Sequence, residues 1–311
     1  MRGARPRSRS ARVVLAALLL AVSACGSSAP TVGPSHKAAA PSFQASLDDA
    51  LGFLPVDSEI VLAIDTKQIR GSAIWAALAP RVEQDLGSEL RDVRQQCGFD
   101  PLQTIDRVSI GLRTPDTSHV AGVVVVHGVG AGTMSCLQPV FGKHTTVTRD
   151  HELVIMGGNG EEMSAWTMIG STLIVQIDLK VDRDSLHAVL ASGSPLRTSH
   201  AFLQMYDKLD HAASVWGVAN GRSHAFDELS GEGVRPATVE GTLMINDHLT
   251  LAARATFADE AAAGKLDTML KGAFGSIGKL VERAESRVDG RRVEVSVSIA
   301  GLQLQQVLSG F

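Results

Sequence analysis

The sequence predicts an α+β fold in which antiparallel sheets are covered by long amphipathic helices. Short runs of β-branched and apolar residues recur in pairs separated by turn residues, which is typical of β-hairpins. Two longer stretches place apolar residues at the spacing of one helix face. Hydrophobic residues make up 44% of the 311 residues, which is enough to build a core. Helices beside several hairpins favour antiparallel sheets with one face covered.

The folded part begins near Phe43, and its first two predicted elements are a strand and a helix. The apolar, β-branched run 58–65 predicts a buried strand. Helical spacing then extends from Ser72, a residue type that caps helix N-termini, to Gly98, a residue type that ends helices. Pro80 lies inside this stretch and is expected to kink the helix.

The rest of the first half consists of hairpins around one short helix. Alternation and turn signals predict a hairpin of 107–113 with 120–128, a helix over 133–141, and a second hairpin of 145–149 with 152–156. The segment 166–209 is interpreted as a connection to the second half.

The second half repeats this order of elements. It predicts a strand over 214–219, a helical piece near Phe226 and a hairpin of 238–245 with 248–257. A long helix over 259–285 and a closing hairpin of 286–288 with 292–300 follow. Asp289-Gly290 supplies the turn of the closing hairpin. The shared order suggests two duplicated units, 43–208 and 209–311.

Residues 1–24 have the parts of a secretory signal peptide. Arginines at positions 2, 5, 7, 9 and 12 form a positive start, and residues 13–22 form an apolar run too short to cross a bilayer as a helix. The alternatives are an uncleaved membrane helix and an ordinary secretory peptide with a coincidental cysteine. The short run and the small residues that end it favour cleavage.

The tetrapeptide Val22-Ser23-Ala24-Cys25 is similar to the lipobox of bacterial lipoproteins. The resemblance implies cleavage before Cys25 and a thioether-linked lipid on this cysteine, whose palmitate-type chains hold the protein to a membrane. Gly26 rather than aspartate follows the cysteine, which resembles outer-membrane lipoproteins of bacteria with two membranes. The expected location is therefore the cell envelope, outside the cytoplasm, and the outer membrane if the organism has one.

Residues 25–42 are expected to form a flexible tether. Ser, Ala, Gly and Pro dominate the segment after the cysteine, and large apolar residues are almost absent. Loss of the five signal-peptide arginines, each carrying one positive charge, changes the formal net charge from −4 to −9. Because nucleic-acid binding needs clustered Lys and Arg, this acidic protein is not expected to bind nucleic acid.

Two cysteines remain once Cys25 carries a lipid, and they lie in a compartment where disulfides persist. Cys97 and Cys136 are therefore expected to form a disulfide. The alternative is two separately buried thiols. Neither has a Cys-x-x-Cys partner or a histidine neighbour in sequence, which argues against a catalytic thiol.

Sequence patterns of catalytic or cofactor sites are weak in this chain. Gly128, Gly130 and Gly132 follow a predicted strand, but Thr133 stands where a dinucleotide-binding loop has its last glycine. His144 and His151 lie on one predicted hairpin, yet a metal site needs three or four ligands. The sequence therefore predicts no catalytic residue, no metal ligand and no cofactor.

Four glycines interrupt the apolar helix predicted over 259–285, at positions 264, 272, 275 and 278. Each is expected to cost about 1 kcal/mol of helix stability relative to alanine. The favoured interpretation is close approach of this helix to a sheet or to the matching helix of the first unit. The alternative is a pliable helix that lines a groove for an acyl chain.

Three functions remain as hypotheses. The first is a membrane-anchored, non-enzymatic lipoprotein that binds an envelope protein or another ligand, because the chain has an anchor and a core but no reactive set. The second is a lipid-binding or lipid-transfer protein with an apolar ligand. The third is a hydrolase, which needs a serine, a histidine and an acid converging in a pocket. The segment Leu54-Pro55-Val56-Asp57-Ser58 is similar to bacterial envelope proteins of unknown function, and this resemblance implies no site residue.

Overall fold

A computed structural model describes residues 50–114, 119–130, 132–141, 147–150, 153–157, 163–191, 196–277 and 281–301. Within these residues, twelve strands form one antiparallel sheet, which confirms the α+β class. In chain order, β1–β12 span Ile60–Asp65, Arg107–Arg113, Ala121–His127, Val147–Asp150, Leu153–Met156, Met163–Ile169, Thr172–Asp178, Val215–Asn220, Thr238–Ile245, His248–Thr256, Arg283–Asp289 and Arg292–Ala300. The order across the sheet is β11-β12-β10-β9-β8-β1-β2-β3-β7-β6-β5-β4.

The helices of the described residues are mostly shorter than the sequence predicts. In chain order, α1–α9 span Thr66–Arg70, Ala73–Asp85, Gly87–Cys97, Pro101–Thr104, Thr133–Phe141, Arg183–Ala191, His200–Tyr206, Asp227–Gly231 and Glu260–Ile277. The longest of them is α9, with 18 residues. Helix α5 has the predicted bounds, whereas both predicted long helices differ from the structure.

The first predicted long helix is in fact two helices, α2 and α3, that meet at Leu86. Ser72 caps α2 as predicted, because its hydroxyl accepts a hydrogen bond from the Trp75 amide at 3.0 Å. Pro80 is accommodated inside α2, whereas Leu86 leaves helical geometry, with φ −111° and ψ 11°, just before Gly87. Glycine is a poor helix former, which favours a break there.

The second predicted long helix, α9, ends at Ile277, so residues 283–285, predicted as its end, belong to strand β11, whereas the predicted strand 286–288 is confirmed as part of β11. β11 pairs with β12 along its whole length. Ala284 and Ser286 are half-buried between exposed neighbours, which is the alternation of a strand with one face on a core. This charged segment is compatible with an exposed helix as well as a strand, and pairing with β12 decides between them.

The interpretation of 166–209 as a connection is wrong. This segment contains most of β6, all of β7, and helices α6 and α7. β7 pairs with β3 from Ile177 opposite Gly122 to Thr172 opposite His127, so it lies inside the sheet. Both faces of the sheet are covered here, and strands buried on both faces lack the apolar–polar alternation by which the other hairpins were recognised.

The two faces of the sheet are covered differently. On one face, which we call face B, α1, α3 and α5 pack on the first half of the sheet, and α8 and α9 pack on the second half. On the opposite face, face A, the turn Ala50–Gly52 with α6 and α7 packs on the first half and on β8. In the described part of the chain, no helix packs on face A of β9–β12, so this part of face A is open.

The two halves of the chain meet at the β1–β8 pair in the centre of the sheet. Each half starts with a meander of three strands, β1–β3 and β8–β10. A helix follows each meander, and the last strand of each half returns beside the third, β7 beside β3 and β12 beside β10. The two halves thus share one order of core strands, while their descent from a duplicated unit stays a prediction.

The predicted disulfide between Cys97 and Cys136 is confirmed. It joins the end of α3 to α5, and the two Cα atoms are 5.0 Å apart. Gly98 ends α3 as predicted, in the left-handed conformation at φ 68° that favours glycine. The bridge packs against the face B core, beside Val93 and Ile105.

Candidate binding site

Face A carries a row of side chains that changes from apolar to charged along the sheet. Directly opposed positions on five neighbouring strands form this row, namely Val61, Val218, Glu240, Arg254 and Glu294. Opposed residues of antiparallel strands point to the same face, so the row is a continuous floor. Val61 and Val218 belong to the core beneath α7, whereas the three charged residues lie on the open part.

The open end of the floor is a groove of about 530 Å³, which we call the charged groove. Its charged lining residues are Lys208, Asp210, Glu240, Arg254, Arg283, Glu285, Arg287 and Glu294. Arg254 donates to Glu240 at 2.8 Å and lies 3.2 Å from Glu294. These hydrogen bonds, the one to Glu240 first, raise the pKa of the Arg254 guanidinium above its ordinary value. Cations and anions balance in this lining, so the groove has no net formal charge.

The covered end of the floor is a second concavity of about 480 Å³, which we call the apolar pocket. Val61 and Val218 form its floor, and Phe202 and Met205 of α7 form one wall. Ser199 sets the start of α7, because its hydroxyl accepts a hydrogen bond from the Phe202 amide at 3.3 Å. The Phe202 side chain is thereby held against the floor and is 4% exposed.

Ion pairs and hydrogen bonds hold most of the charged groups at the mouth of the apolar pocket. Arg113 donates to Asp57 at 2.9 Å and to Asp178 at 3.0 Å. Glu59 accepts two hydrogen bonds from Thr114, one from the backbone amide at 2.9 Å and one from the hydroxyl at 2.6 Å. Asp57, Glu59 and Arg113 are therefore engaged within the protein.

Arg222 also lines the apolar pocket, and it differs from these groups. Its backbone amide donates to Asn220 Oδ1 at 3.0 Å, and its carbonyl oxygen accepts from Arg235 at 3.2 Å. Its side chain is exposed and has no hydrogen-bond or ion-pair partner among the described residues. Hydrogen bonds thus fix the backbone of Arg222, while its guanidinium has no acceptor among the described residues.

Helix α7 and the turn after it separate the two concavities. An aromatic cluster supports this partition: the Tyr206 ring centroid is 4.0 Å from that of His211 and 5.2 Å from that of Trp216. Trp216 lies opposite Thr242, which lines the charged groove. Such stacked and edge-on contacts stabilise a turn beyond its buried area alone.

Neither concavity contains a residue that the sequence predicts as a site. Cys97 and Cys136 lie on face B, and Cys25 lies outside the described residues. Sequence reasoning missed the concavities because their residues come from many separate elements and form no motif. No sequence pattern marks Arg222, since only the folded chain shows which charges have partners among the described residues.

The glycines of α9 do not serve close packing. A Cβ atom at Gly264, Gly272 or Gly275 would meet no atom within 4 Å. The favoured interpretation, close approach to a sheet or helix, is therefore wrong at these positions, and Gly278 lies outside the described residues. Residues of α9 line neither the apolar pocket nor the charged groove, so both concavities lie away from the helix that was the predicted acyl-chain site.

Replacing Gly264 with Ala is expected to raise the free energy of unfolding by up to about 1 kcal/mol, because alanine favours the helix and meets open space. The contrasting variant is Gly128→Ala, which should destabilise the protein. Gly128 has φ +90°, and a Cβ there would lie 2.3 Å from the Thr104 carbonyl oxygen. Thermal unfolding of both variants measures whether each one gains or loses stability. A loss of stability in Gly264→Ala would contradict the open environment.

A histidine–carboxylate pair is present, but a hydrolytic set is not assembled around it. His224 Nδ1 lies 2.8 Å from Asp227 Oδ2, and Arg235 donates to the same carboxylate. These two partners, His224 first, hold the pKa of Asp227 below its usual range. Among the described residues, no serine hydroxyl lies within hydrogen-bond distance of the other ring nitrogen of His224.

The described residues contain neither a clustered metal site nor a membrane-spanning helix. They include no group of three or more His, Cys, Asp or Glu that is placed to hold a metal ion, and the predicted pair His144 and His151 lies outside them. No helix among them has both the length and the apolar character needed to cross a membrane.

The fold is similar to that of TP0453. Its crystal form III matches with a TM-score of 0.51 and 10% sequence identity, over 84% of this chain and 98% of that chain. Crystal form I matches with a TM-score of 0.49 and 11% identity, over 84% and 97% of the two chains. No protein-family model and no curated protein matches the sequence. At this level of identity, the likeness to crystal form III establishes a shared fold and carries no statement about activity or ligand.

Proposed function

We propose that this protein is a membrane-anchored envelope lipoprotein whose folded domain is a non-enzymatic binding module. The observation that carries the binding role is the arrangement of face A, where an apolar pocket and a charged groove share one floor. Concave sites with a few placed polar groups are where proteins hold small ligands. The lipobox-like tetrapeptide ending at Cys25 supports the anchor.

The anchor explains how the domain reaches its place of action. Lipid chains on Cys25 contribute about 0.8 kcal/mol per buried methylene, so more than one chain gives stable membrane binding. A tether rich in Ser, Ala, Gly and Pro then leaves the domain free to orient face A toward a ligand. The anchor and the binding surface are separate parts of the chain in this proposal.

Replacing Cys25 with Ala is expected to move the protein from the membrane fraction to the soluble fraction, because the lipid attachment point is lost. Fractionation of cells and immunoblotting measure this change. The matched control is Cys97→Ala, which removes a cysteine from the folded domain and should leave the protein in the membrane fraction. Membrane retention of Cys25→Ala in a chain from which residues 1–24 have been removed would contradict the lipid anchor.

Native mass spectrometry of the membrane-extracted protein tests the binding role separately. We expect a bound mass beyond that of the lipid-modified chain. A chain with no ligand or partner mass under mild extraction would contradict a binding module.

A further inference from the structure

We infer that strand β11 is a dimerisation edge, where a second copy of this chain adds its own β11 in an antiparallel register centred on Ser286. β11 is the last strand of the sheet, and among the described residues β12 is its single neighbouring strand. An unpaired sheet edge is a template on which another strand can pair. This inference goes beyond the proposed function, because it names a partner for the edge of the sheet and not for either concavity.

The backbone of β11 directs hydrogen-bonding groups away from the sheet. The Ser298 carbonyl oxygen of β12 points toward β11, because it accepts from the Glu282 amide at 2.9 Å. Arg283 lies opposite Ser298 and therefore directs its own N–H and C=O groups to β12. These groups alternate between the two sides of a strand, so the residues between direct theirs to the outer edge. The residues with outward backbone groups are Ala284, Ser286 and Val288.

The charges of β11 are complementary to those of a second, antiparallel β11. Four exposed residues on face A alternate in sign along the strand, namely Arg283, Glu285, Arg287 and Asp289. Pairing centred on Ser286 places Arg283 opposite the partner's Asp289, and Glu285 opposite the partner's Arg287. Opposite charges at directly opposed strand positions attract each other and stabilise the pairing.

The same charges oppose the neighbouring registers. Centring the pairing on Glu285 would place two glutamates opposite each other and Arg283 opposite the partner's Arg287. Centring it on Arg287 would oppose two arginines, and Glu285 would face the partner's Asp289. A shift by one residue would oppose outward backbone groups to groups that are already bonded to β12. Charges usually protect an edge from pairing, but this pattern leaves one register attractive.

Face B of the edge also fits a second copy. Val288 is 37% exposed, and the pairing places it opposite the partner's Ala284, which removes apolar surface from water. Ser286 lies on the two-fold axis, where its small side chain permits close approach. Its hydroxyl donates to Asp267 of α9 at 2.5 Å, so it is directed toward α9 and away from the outer edge.

Ion pairs within the chain do not block this pairing. Arg283 contacts Glu285, and Arg292 contacts Asp289, but all four side chains are more than half exposed. Exposed pairs contribute little to stability, and a carboxylate can accept from more than one guanidinium. Seven residues from each copy form a small interface, so we expect a weak and reversible dimer.

Cysteine cross-linking of the purified full chain tests the register. Position 286 faces itself across the two-fold axis at a distance that a disulfide can span, so Ser286→Cys is expected to form a linked dimer on mild oxidation. The matched control is Ala284→Cys, which is also half-buried on face B. Its two copies would be displaced by about 13 Å along the strands and should stay unlinked. Non-reducing electrophoresis measures the dimer, and circular dichroism confirms the fold of each variant.

Charge reversal in the Ser286→Cys chain tests the complementarity. Arg287→Glu opposes two pairs of acidic residues in a homodimer, and Glu285→Arg opposes two pairs of arginines. We expect each reversal alone to lower the cross-linked fraction at least fivefold. A mixture of the two variants has opposite charges at both positions, so cross-linking between them should return.

The other outcomes overturn the inference. A Ser286→Cys chain that forms no dimer would show that the edge does not pair between copies. Equal cross-linking of Ala284→Cys would indicate random collision rather than one register. Undiminished cross-linking after charge reversal, or a mixture that stays unlinked, would show that the charges do not determine the pairing. None of these results bears on the lipid anchor, which fractionation tests separately.

Discussion

Replacing Cys97 with Ala is expected to lower the free energy of unfolding by about 4 kcal/mol. The bridge to Cys136 closes a loop with a sequence separation of 39 residues, and its loss increases the entropy of the unfolded chain. The bridge also holds α3 and α5 together on the face B core, where Val93 packs. Chemical denaturation under oxidising conditions measures the change.

Three controls separate the bridge from the side chains. Cys136→Ala and the double variant should lose the same free energy as Cys97→Ala, since all three lack the same bond. Reduction of the wild-type protein should reproduce the loss. An unchanged unfolding midpoint in Cys97→Ala would show that the bridge does not stabilise the fold, and localisation should be unaffected in every case.

Replacing Arg254 with Met is expected to lower the free energy of unfolding by about 3 kcal/mol, because it leaves a buried carboxylate without its partner. The Glu240 side chain is 7% exposed and has Arg254 as its ion-pair partner, while Arg254 also holds the half-exposed Glu294. Methionine keeps the apolar stem of arginine and removes the guanidinium, so the loss of free energy reports on its ion pairs and hydrogen bonds with Glu240 and Glu294. Thermal and chemical unfolding measure it.

The double variant Arg254→Met with Glu240→Gln should recover most of this stability, because no buried charge then lacks a partner. The control for an exposed pair is Arg292→Met. Arg292 and Asp289 are 51% and 60% exposed, and such pairs contribute about 0–1 kcal/mol. If Arg254→Met loses no more free energy of unfolding than Arg292→Met, the ion pair between Arg254 and Glu240 does not stabilise the floor of the charged groove.

The predictions from sequence succeeded where the chemistry is local. The hairpin β9–β10 and the strand β12 have almost the predicted bounds, because one of their faces is exposed and the apolar–polar alternation is readable. Ser72 and Gly98 act as predicted, since capping depends on a few neighbouring backbone groups. The Cys97–Cys136 pair followed from compartment and count.

The predictions failed where a distant partner decided the outcome. β7 is covered on both faces, so its sequence lacks alternation and was interpreted as part of a connection. Residues 283–285 were predicted as a helix end but belong to β11, because β12 pairs with them as well as with the predicted strand 286–288. The glycines of α9 suggested close contact, but the folded chain leaves open space beside Gly264 and Gly272.

The sequence by itself determined the α+β class, most hairpins and caps, and the disulfide, because these follow from short-range pattern, backbone chemistry and residue type. Only the tertiary structure decided that the strands join in one sheet, that part of face A is open, and that Arg222 lines an apolar pocket without a side-chain partner in the described part of the chain. The physical reason is that strand pairing and charge pairing join residues far apart in the chain, so the register across several strands determines which groups remain available to a ligand.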